Sequence, residues 1–432
     1  MQCPQHGEFL ELFVPGRLCL FGEHSDWAGS YRKLNKDLRP GQTIVVGTQA
    51  GLSARVRRLE RPVLVVRSTK NDGSVELSEL PMDADILAEE AAAGGFFSYA
   101  AGVAYKMLVD FGVGGLEVDN YQTSLPLKKG LSSSAAFCVL MARAFNRSYN
   151  LRLTTRGEME YAYQGERLTP SQCGKMDQGC AFGQVPVLMT YNGDLLGVRP
   201  ACLGAPLHLV LVDLRASKNT VLILRSLQEA FPHPVGPQQQ AAVELFGPIN
   251  ELLVGRALQA MEAGDVEHVG RLMRKAQHEF DLRAAPLCPS ELTSPVLHRV
   301  LEYPPIQEHI FGGKGVGSQG DGTAQLLCRD ADGQAAVCSI LTQELGLDCM
   351  AFTVPATAAA ANGAVEATAN GAAEHQLTEP AFAAAAAAAL AAAAEREGQQ
   401  PAAVAVHRAL DSAKDLEDKK EARKVQAQMQ QA

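Results

Sequence analysis

The chain opens on a strand-like apolar run, Phe9-Leu-Glu-Leu-Phe-Val14, and a second one follows at Leu18 to Gly22. Pro15-Gly16 lies between them, and that pair reads as a turn, so two strands are expected. Thr43 to Thr48, Leu52 to Arg57, Pro62 to Ser68 and Glu117 to Ser124 repeat the strand pattern. The period changes over Phe97 to Phe111, where Tyr99, Val103, Met107 and Leu108 recur on one helical face. Ser134 to Tyr149 is apolar on nearly every side and predicts a buried helix. Strands precede helices without regular βαβ alternation. The expected class is therefore α+β, not a doubly wound parallel sheet.

The second half begins with the strand His208-Leu-Val-Leu-Val-Asp213. Two long helical patterns follow, then glycine-rich and strand-like segments. From about residue 356 the chain is dominated by Ala, Gln, Glu and Lys, with few large side chains to bury. The expected organisation is a domain over 1–204, a second over 205–355 and a flexible or loosely helical tail over 356–432.

Composition narrows the function classes. Of 432 residues, 47% are hydrophobic and 20% charged, which suits a globular protein with two cores. The net charge of −9 disfavours nucleic acid or an anionic membrane as the main partner, and leaves nucleotide binding open. The ten cysteines form no Cys-x-x-Cys pair and no zinc-ligand spacing, so reduced thiols in a cytoplasmic protein are expected. The Ala-rich run Ala381 to Ala394 is too short and too weakly apolar to span a bilayer. The strand at Phe9 leaves no room for a cleavable presequence, so none is expected.

Three segments carry candidate chemistry. In Leu125-Pro-Leu-Lys-Lys-Gly-Leu-Ser-Ser-Ser-Ala-Ala136, a strand gives way through a loop to a helix that starts on serines. Such a helix start presents unpaired N–H groups and the positive end of the dipole, and small residues let a phosphate approach. The same serines could simply cap a core helix. It is not a Walker A loop, because no Gly-Lys-Ser/Thr stands at the required spacing. In Val14-Pro-Gly-Arg-Leu-Cys-Leu-Phe-Gly-Glu-His-Ser-Asp-Trp27, the run ends on Glu23, His24, Asp26 and the only tryptophan. Carboxylates accept from neighbouring hydroxyls and an aromatic face packs on sugar C–H groups, so the cluster suits a polyol. A solvated turn or a metal site are the rival readings. In Gly165-Glu-Arg-Leu-Thr-Pro-Ser-Gln-Cys-Gly-Lys-Met-Asp-Gln178, Glu166 and Asp177 accompany Gly174 and Lys175. Phosphoryl transfer needs a carboxylate at the acceptor hydroxyl, a cation and a metal ligand. Asp177 fits the first role and Glu166 the last, with Arg17 or Lys175 supplying the charge that keeps Asp177 ionised.

Taken in order, these blocks resemble the GHMP kinase superfamily, and its galactokinases above all. Gly312-Gly-Lys-Gly-Val-Gly-Ser-Gln-Gly-Asp-Gly-Thr323 is similar to that family's C-terminal glycine-rich motif. The resemblance spans about residues 12–355. It implies a ribosomal-protein-S5-like N-terminal domain and a ferredoxin-like C-terminal domain, with ATP and substrate between them. It implies that Glu23, His24, Asp26 and Trp27 hold the sugar. Lys129, Gly130, Leu131, Ser132, Ser133, Ser134 and Ala135 would wrap the ATP phosphates. Ser134 and Glu166 would ligate Mg²⁺, and Asp177 would act on the acceptor hydroxyl beside Arg17. The chain departs from the galactokinase pattern at Cys19, Trp27 and Asp321. The segment Val212-Asp-Leu-Arg-Ala-Ser-Lys-Asn-Thr220 has no clear galactokinase match, and its polar residues could shape another acceptor pocket.

The expectation is an ATP-dependent kinase of a monosaccharide hydroxyl. The alternatives are a kinase of another sugar or sugar acid such as arabinose or glucuronate, a kinase of a non-sugar alcohol, and a catalytically silent sugar and ATP sensor. Expected partners are the small-molecule acceptor and ATP, with no nucleic acid and no membrane.

Overall fold

The computed structural model describes residues 8–69, 73–125, 132–171 and 173–357. The expected tail over 356–432 lies almost wholly outside them, as do Lys129, Gly130 and Leu131 of the expected phosphate loop.

The first half folds in the order β1 (Leu10–Phe21), α1 (Ser25–Ser30), β2 (Gly41–Arg58), β3 (Val63–Thr69), β4 (Val75–Pro81), α2 (Ala84–Ala93), α3 (Ser98–Phe111), β5 (Leu116–Thr123), α4 (Ser133–Tyr149), α5 (Thr155–Glu166), β6 (Val187–Asn192) and β7 (Leu195–Pro200). The expected pair of strands around Pro15-Gly16 is instead one strand. β1 runs antiparallel along β2 with a register shift between Pro15 and Arg17. Proline lacks an N–H for the ladder, so the chain absorbs it as a bulge rather than a turn. The runs at Thr43 and Leu52 likewise merge into the single long β2. That strand is the spine of the seven-stranded sheet, pairing with β1, with β5 and with β6. The sheet order is β4-β3-β5-β2-β6-β7, with β1 joined to β2.

α4 lies between this sheet and the other helices, touching β1, β2 and β5 as well as α3 and α5. Its all-round apolar sequence follows from that: Phe137 to Ala142, Ala144 and Phe145 are buried.

The second half continues with β8 (Leu207–Asp213), α6 (Thr220–Gln228), α7 (Gly236–Glu244), α8 (Asn250–Ala263), α9 (Val266–Arg283), α10 (Pro289–Leu292), α11 (Pro295–Leu301), β9 (Ile310–Gly315), β10 (Thr323–Cys328), α12 (Ala331–Leu345) and β11 (Asp348–Val354). Its four strands form an antiparallel sheet in the order β11-β8-β10-β9. Strand, helices, hairpin, helix, strand in that order is the ferredoxin-like arrangement. α8 packs on β2 and α9 on β9, so these two helices tie the sheets together. The apolar core is continuous across that joint, running from Leu18 and Val45 through Leu209, Leu253 and Met273. The mixed α+β architecture matches the expected class. Among the described residues no helix is long and apolar enough to cross a membrane, and the nine described cysteines are all unpaired.

Candidate active site

Asp177 begins a short 3₁₀ helix, Asp177–Phe182, below the start of α4. Two groups hold its Oδ1. The Arg17 guanidinium, from the middle of β1, makes an ion pair with it. The Ser132 hydroxyl donates to the same oxygen at 2.8 Å. The Arg17 side chain is 5% exposed and that of Asp177 24%, so the carboxylate is the more exposed partner. Burial works against charge on Arg17, yet Asp177 together with the nearby Cys19 and Asp26 offsets it and the guanidinium pKa is raised. Lys175, the other cation weighed for this role, is elsewhere. Its Nζ donates to Glu160 at 3.0 Å and lies over the Tyr163 ring.

Ser132 precedes α4 in the left-handed conformation, with φ 54° and ψ 52°. Its hydroxyl is committed to Asp177, and no side chain caps the helix among the described residues. The first N–H groups of α4, from Ser133, Ser134 and Ala135, stand where an anion is favoured. Ala135 is wholly buried, so it offers only its backbone.

Glu166 ends α5 and is wholly buried. Burial first, then the charge of Asp177, pushes its pKa up to about 7. Hydrogen bonds from Ser134, Gln178 and Ser171 pull the other way. Gln178 Nε2 donates to Oε2 at 2.7 Å and Ser171 Oγ to Oε1 at 3.3 Å. The pair expected to ligate Mg²⁺, Ser134 and Glu166, is thus brought together next to Asp177. Among the described residues no group of three His, Cys, Asp or Glu could hold a metal. A cation here needs ligands from a bound phosphate and water as well. A buried carboxylate held partly protonated fits that role, because a divalent cation would favour its ionised form.

The Glu23–Trp27 segment is compact. His24 is buried, with a left-handed φ of 69°. Its Nδ1 accepts from the Trp27 indole N–H at 3.1 Å, which leaves the proton on Nε2. Burial lowers the His24 pKa to about 3, and the charges of Lys218 and Lys314 add to the effect, so the ring stays neutral. Trp27 packs on Phe231 and Phe246 with ring centroids 5.3 and 5.7 Å away. It orients His24 from an aromatic cluster. Pro248 shapes that cluster by interrupting the chain between α7 and α8, where the irregular turn Leu245–Ile249 carries Phe246 to His24. Asp26 is buried, and its pKa rises to about 6 through burial and then through Asp177. A Cβ on Gly174 would stand 1.8 Å from Asp26 Oδ2, so only glycine lets that loop cover the carboxylate.

Glu23 is held by a residue not singled out in the sequence. Lys314 of β9, 1% exposed, makes an ion pair with Glu23 Oε1 and donates to the Gly315 carbonyl at 3.1 Å. The signal was present: a lysine amid Ile-Phe-Gly-Gly-Lys-Gly in a buried strand requires a partner. Gln178, which holds Glu166, was likewise missed. Asp321 turns away from the site. Its Oδ1 accepts from the Leu297 N–H at 2.8 Å, at the start of α11.

Residues 98–184, from α3 through the Asp177 turn, match the family model described as GHMP kinases N terminal domain. A search of the curated proteins by sequence finds no match. Among solved structures, the chain is similar to a Lactococcus lactis galactokinase complexed with galactose, with 18% identity, a TM-score of 0.62, and coverage of 82% of this chain and 95% of that one. It is similar to an L. major mevalonate kinase in complex with R-mevalonate, with 18% identity, a TM-score of 0.57, and coverage of 81% and 97%. A homoserine kinase from Cytophaga hutchinsonii matches with 16% identity, a TM-score of 0.54, and coverage of 82% and 97%. At these identities the likeness shows the shared fold.

Proposed function

We propose that this chain, whose residues 98–184 match the GHMP kinase N-terminal domain model and whose fold is shared by such kinases, is a GHMP kinase that carries out ATP-dependent phosphoryl transfer to a hydroxyl of a monosaccharide or closely related polyol. One observation carries the reading. A single carboxylate, Asp177, is bound by Arg17 and Ser132 beside the uncapped start of α4, with Glu166 and Ser134 next to it. Those are the parts that phosphoryl transfer requires: an acceptor-side carboxylate, an anion cradle and a divalent-cation ligand pair. Members of this superfamily use ATP, generally with Mg²⁺.

In this proposal residues 1–204 bind ATP and residues 205–355 complete the acceptor site. The N–H groups and hydroxyls of Ser132 to Ala135 receive the phosphates, together with Lys129, Gly130 and Leu131. Ser134 and Glu166 hold Mg²⁺, which neutralises phosphate charge when bound. Asp177 orients the acceptor hydroxyl and takes its proton, while Arg17 fixes the carboxylate. His24 presents its Nε2–H, with Glu23 and Asp26 as further acceptor-side groups and Trp27 behind the imidazole. We propose a cytoplasmic enzyme with no nucleic-acid or membrane partner.

A non-sugar alcohol such as mevalonate or homoserine is the second reading, since kinases of both share the fold. The Glu23, His24 and Asp26 cluster favours a polyol over either. Incubation of the protein with MgATP and a panel of hexoses, pentoses, sugar acids, mevalonate and homoserine, followed by ADP detection, tests the proposal. ADP formed with a sugar or sugar acid supports it, and no ADP with any member of the panel refutes it.

A further inference from the structure

Beside the candidate active site lies a cation that makes no ion pair among the described residues. Arg17 is matched by Asp177, and Lys314 by Glu23. Lys218, from the segment between β8 and α6, has no such partner among the described residues. Its Nζ donates to the Gln319 carbonyl at 2.7 Å and reaches the Val316 carbonyl at 3.5 Å. Glu291, which lines the same cleft, is taken by the Asn219 backbone N–H at 2.7 Å. The side chain is built into the glycine-rich loop. A Cβ on Gly322 would lie 2.7 Å from Lys218 Cε and 2.9 Å from Nζ, so the loop leaves that space to the lysine.

Lys218 also belongs electrostatically to that site. Its charge acts on His24, and the charges of Glu23 and Arg17 act on it. Burial lowers its pKa to about 8, so it is a desolvated cation whose charge a bound anion would stabilise. A second group points the same way. Gln319, 4% exposed, lines a cavity with Glu23 and Lys314, and its Oε1 has no hydrogen-bond partner among the described residues. A buried acceptor oxygen without a donor is costly, and an incoming hydroxyl satisfies it.

We infer that the acceptor is a hydroxy acid of the sugar-acid type, whose carboxylate pairs with Lys218 and one of whose hydroxyls donates to Gln319 Oε1. This rests on the kinase reading above and sharpens its substrate class. A neutral sugar can satisfy Gln319 but leaves the Lys218 charge uncompensated. A hydroxy acid satisfies both, its hydroxyl donating to Gln319 Oε1 and its carboxylate pairing with Lys218.

The test compares matched pairs, D-glucuronate with D-glucose and D-galacturonate with D-galactose, in the wild type and in Lys218→Met. MgATP-dependent ADP release and calorimetric binding of each compound are measured, with Lys218→Arg as the charge-preserving control. A charge-assisted contact predicts kcat/KM at least about tenfold higher for one acid than for its neutral partner. Lys218→Met removes that preference, and Lys218→Arg retains part of it. Equal or better use of the neutral sugars by the wild type, or an equal loss for both classes in Lys218→Met, overturns the inference and leaves the kinase reading standing. If no compound yields ADP, the kinase reading fails. Calorimetry then decides the inference: acid binding lost in Lys218→Met supports it, and no acid binding overturns it.

Discussion

Glu23, just beyond the end of β1, and Lys314, in β9, form a buried ion pair between elements of the two sheets. Their side chains are 5% and 1% exposed. Removing one partner strands the other charge in the interior, which costs about 3–5 kcal/mol. Lys314→Met is therefore expected to lower unfolding free energy by that amount in urea titration. Glu23→Gln with Lys314→Met is expected to be milder than the sum of the singles, since no charge is left alone.

Arg17 and Lys175 are distinguishable by their partners. Arg17 binds Asp177, whereas Lys175 binds Glu160 at 3.0 Å. Arg17→Ala is expected to lower kcat by roughly 100-fold or more, because the carboxylate loses its fixed geometry. Lys175→Ala removes a partly exposed pair and is expected to leave kcat within about threefold. Steady-state kinetics on the two variants checks both statements.

The Trp27 indole N–H fixes the orientation of His24 through a 3.1 Å hydrogen bond. Trp27→Phe keeps an aromatic ring in the cluster and removes the donor. A lost hydrogen bond of about 0.5–1.5 kcal/mol corresponds to roughly a two- to tenfold rise in acceptor KM. KM for ATP is expected to stay unchanged. An unaltered acceptor KM would remove His24 from the acceptor site.

Glu166 makes the stability of the nucleotide-free protein depend on pH. Its pKa rises from 4.5 to about 7 on folding, chiefly through burial and then through Asp177. Between those values the folded state holds a proton that the unfolded state has lost, so this residue's contribution to stability falls as pH rises. The wild type is expected to lose ground to Glu166→Gln between about pH 4.5 and 7, by about 3 kcal/mol in all, and to lose no more above that. Urea titration of both proteins across this range measures the difference. Mg²⁺ with nucleotide is expected to stabilise the wild type near neutral pH and not the variant.

Much of this was legible along the chain. Helix α4 announced itself through its apolar residues, and β8 through Leu-Val-Leu-Val, because both are buried on most sides and their sequences need no partner to be interpreted. The merging of Phe9–Val14 and Leu18–Gly22 into β1 was not legible. A Pro-Gly pair marks a turn unless a long neighbour such as β2 holds the chain extended through it, and that is a tertiary effect. The site divides in the same way. Arg17, Asp177, Glu166 and the serines stand in dense local clusters. Lys314 reaches Glu23 from the other half of the chain, and the Lys218 charge acts on His24 from there too; nothing in their own neighbourhood says which groups they influence.

The central claim is that Asp177 is the carboxylate acting on the acceptor hydroxyl. The most direct measurement is single-turnover formation of phosphorylated acceptor, followed by mass spectrometry, in the wild type and in Asp177→Asn, with ATP binding measured on both. The account predicts a loss of about 100- to 10,000-fold in the rate for Asp177→Asn, with ATP affinity within a few-fold of the wild type. A variant that phosphorylates its acceptor at the wild-type rate would contradict it.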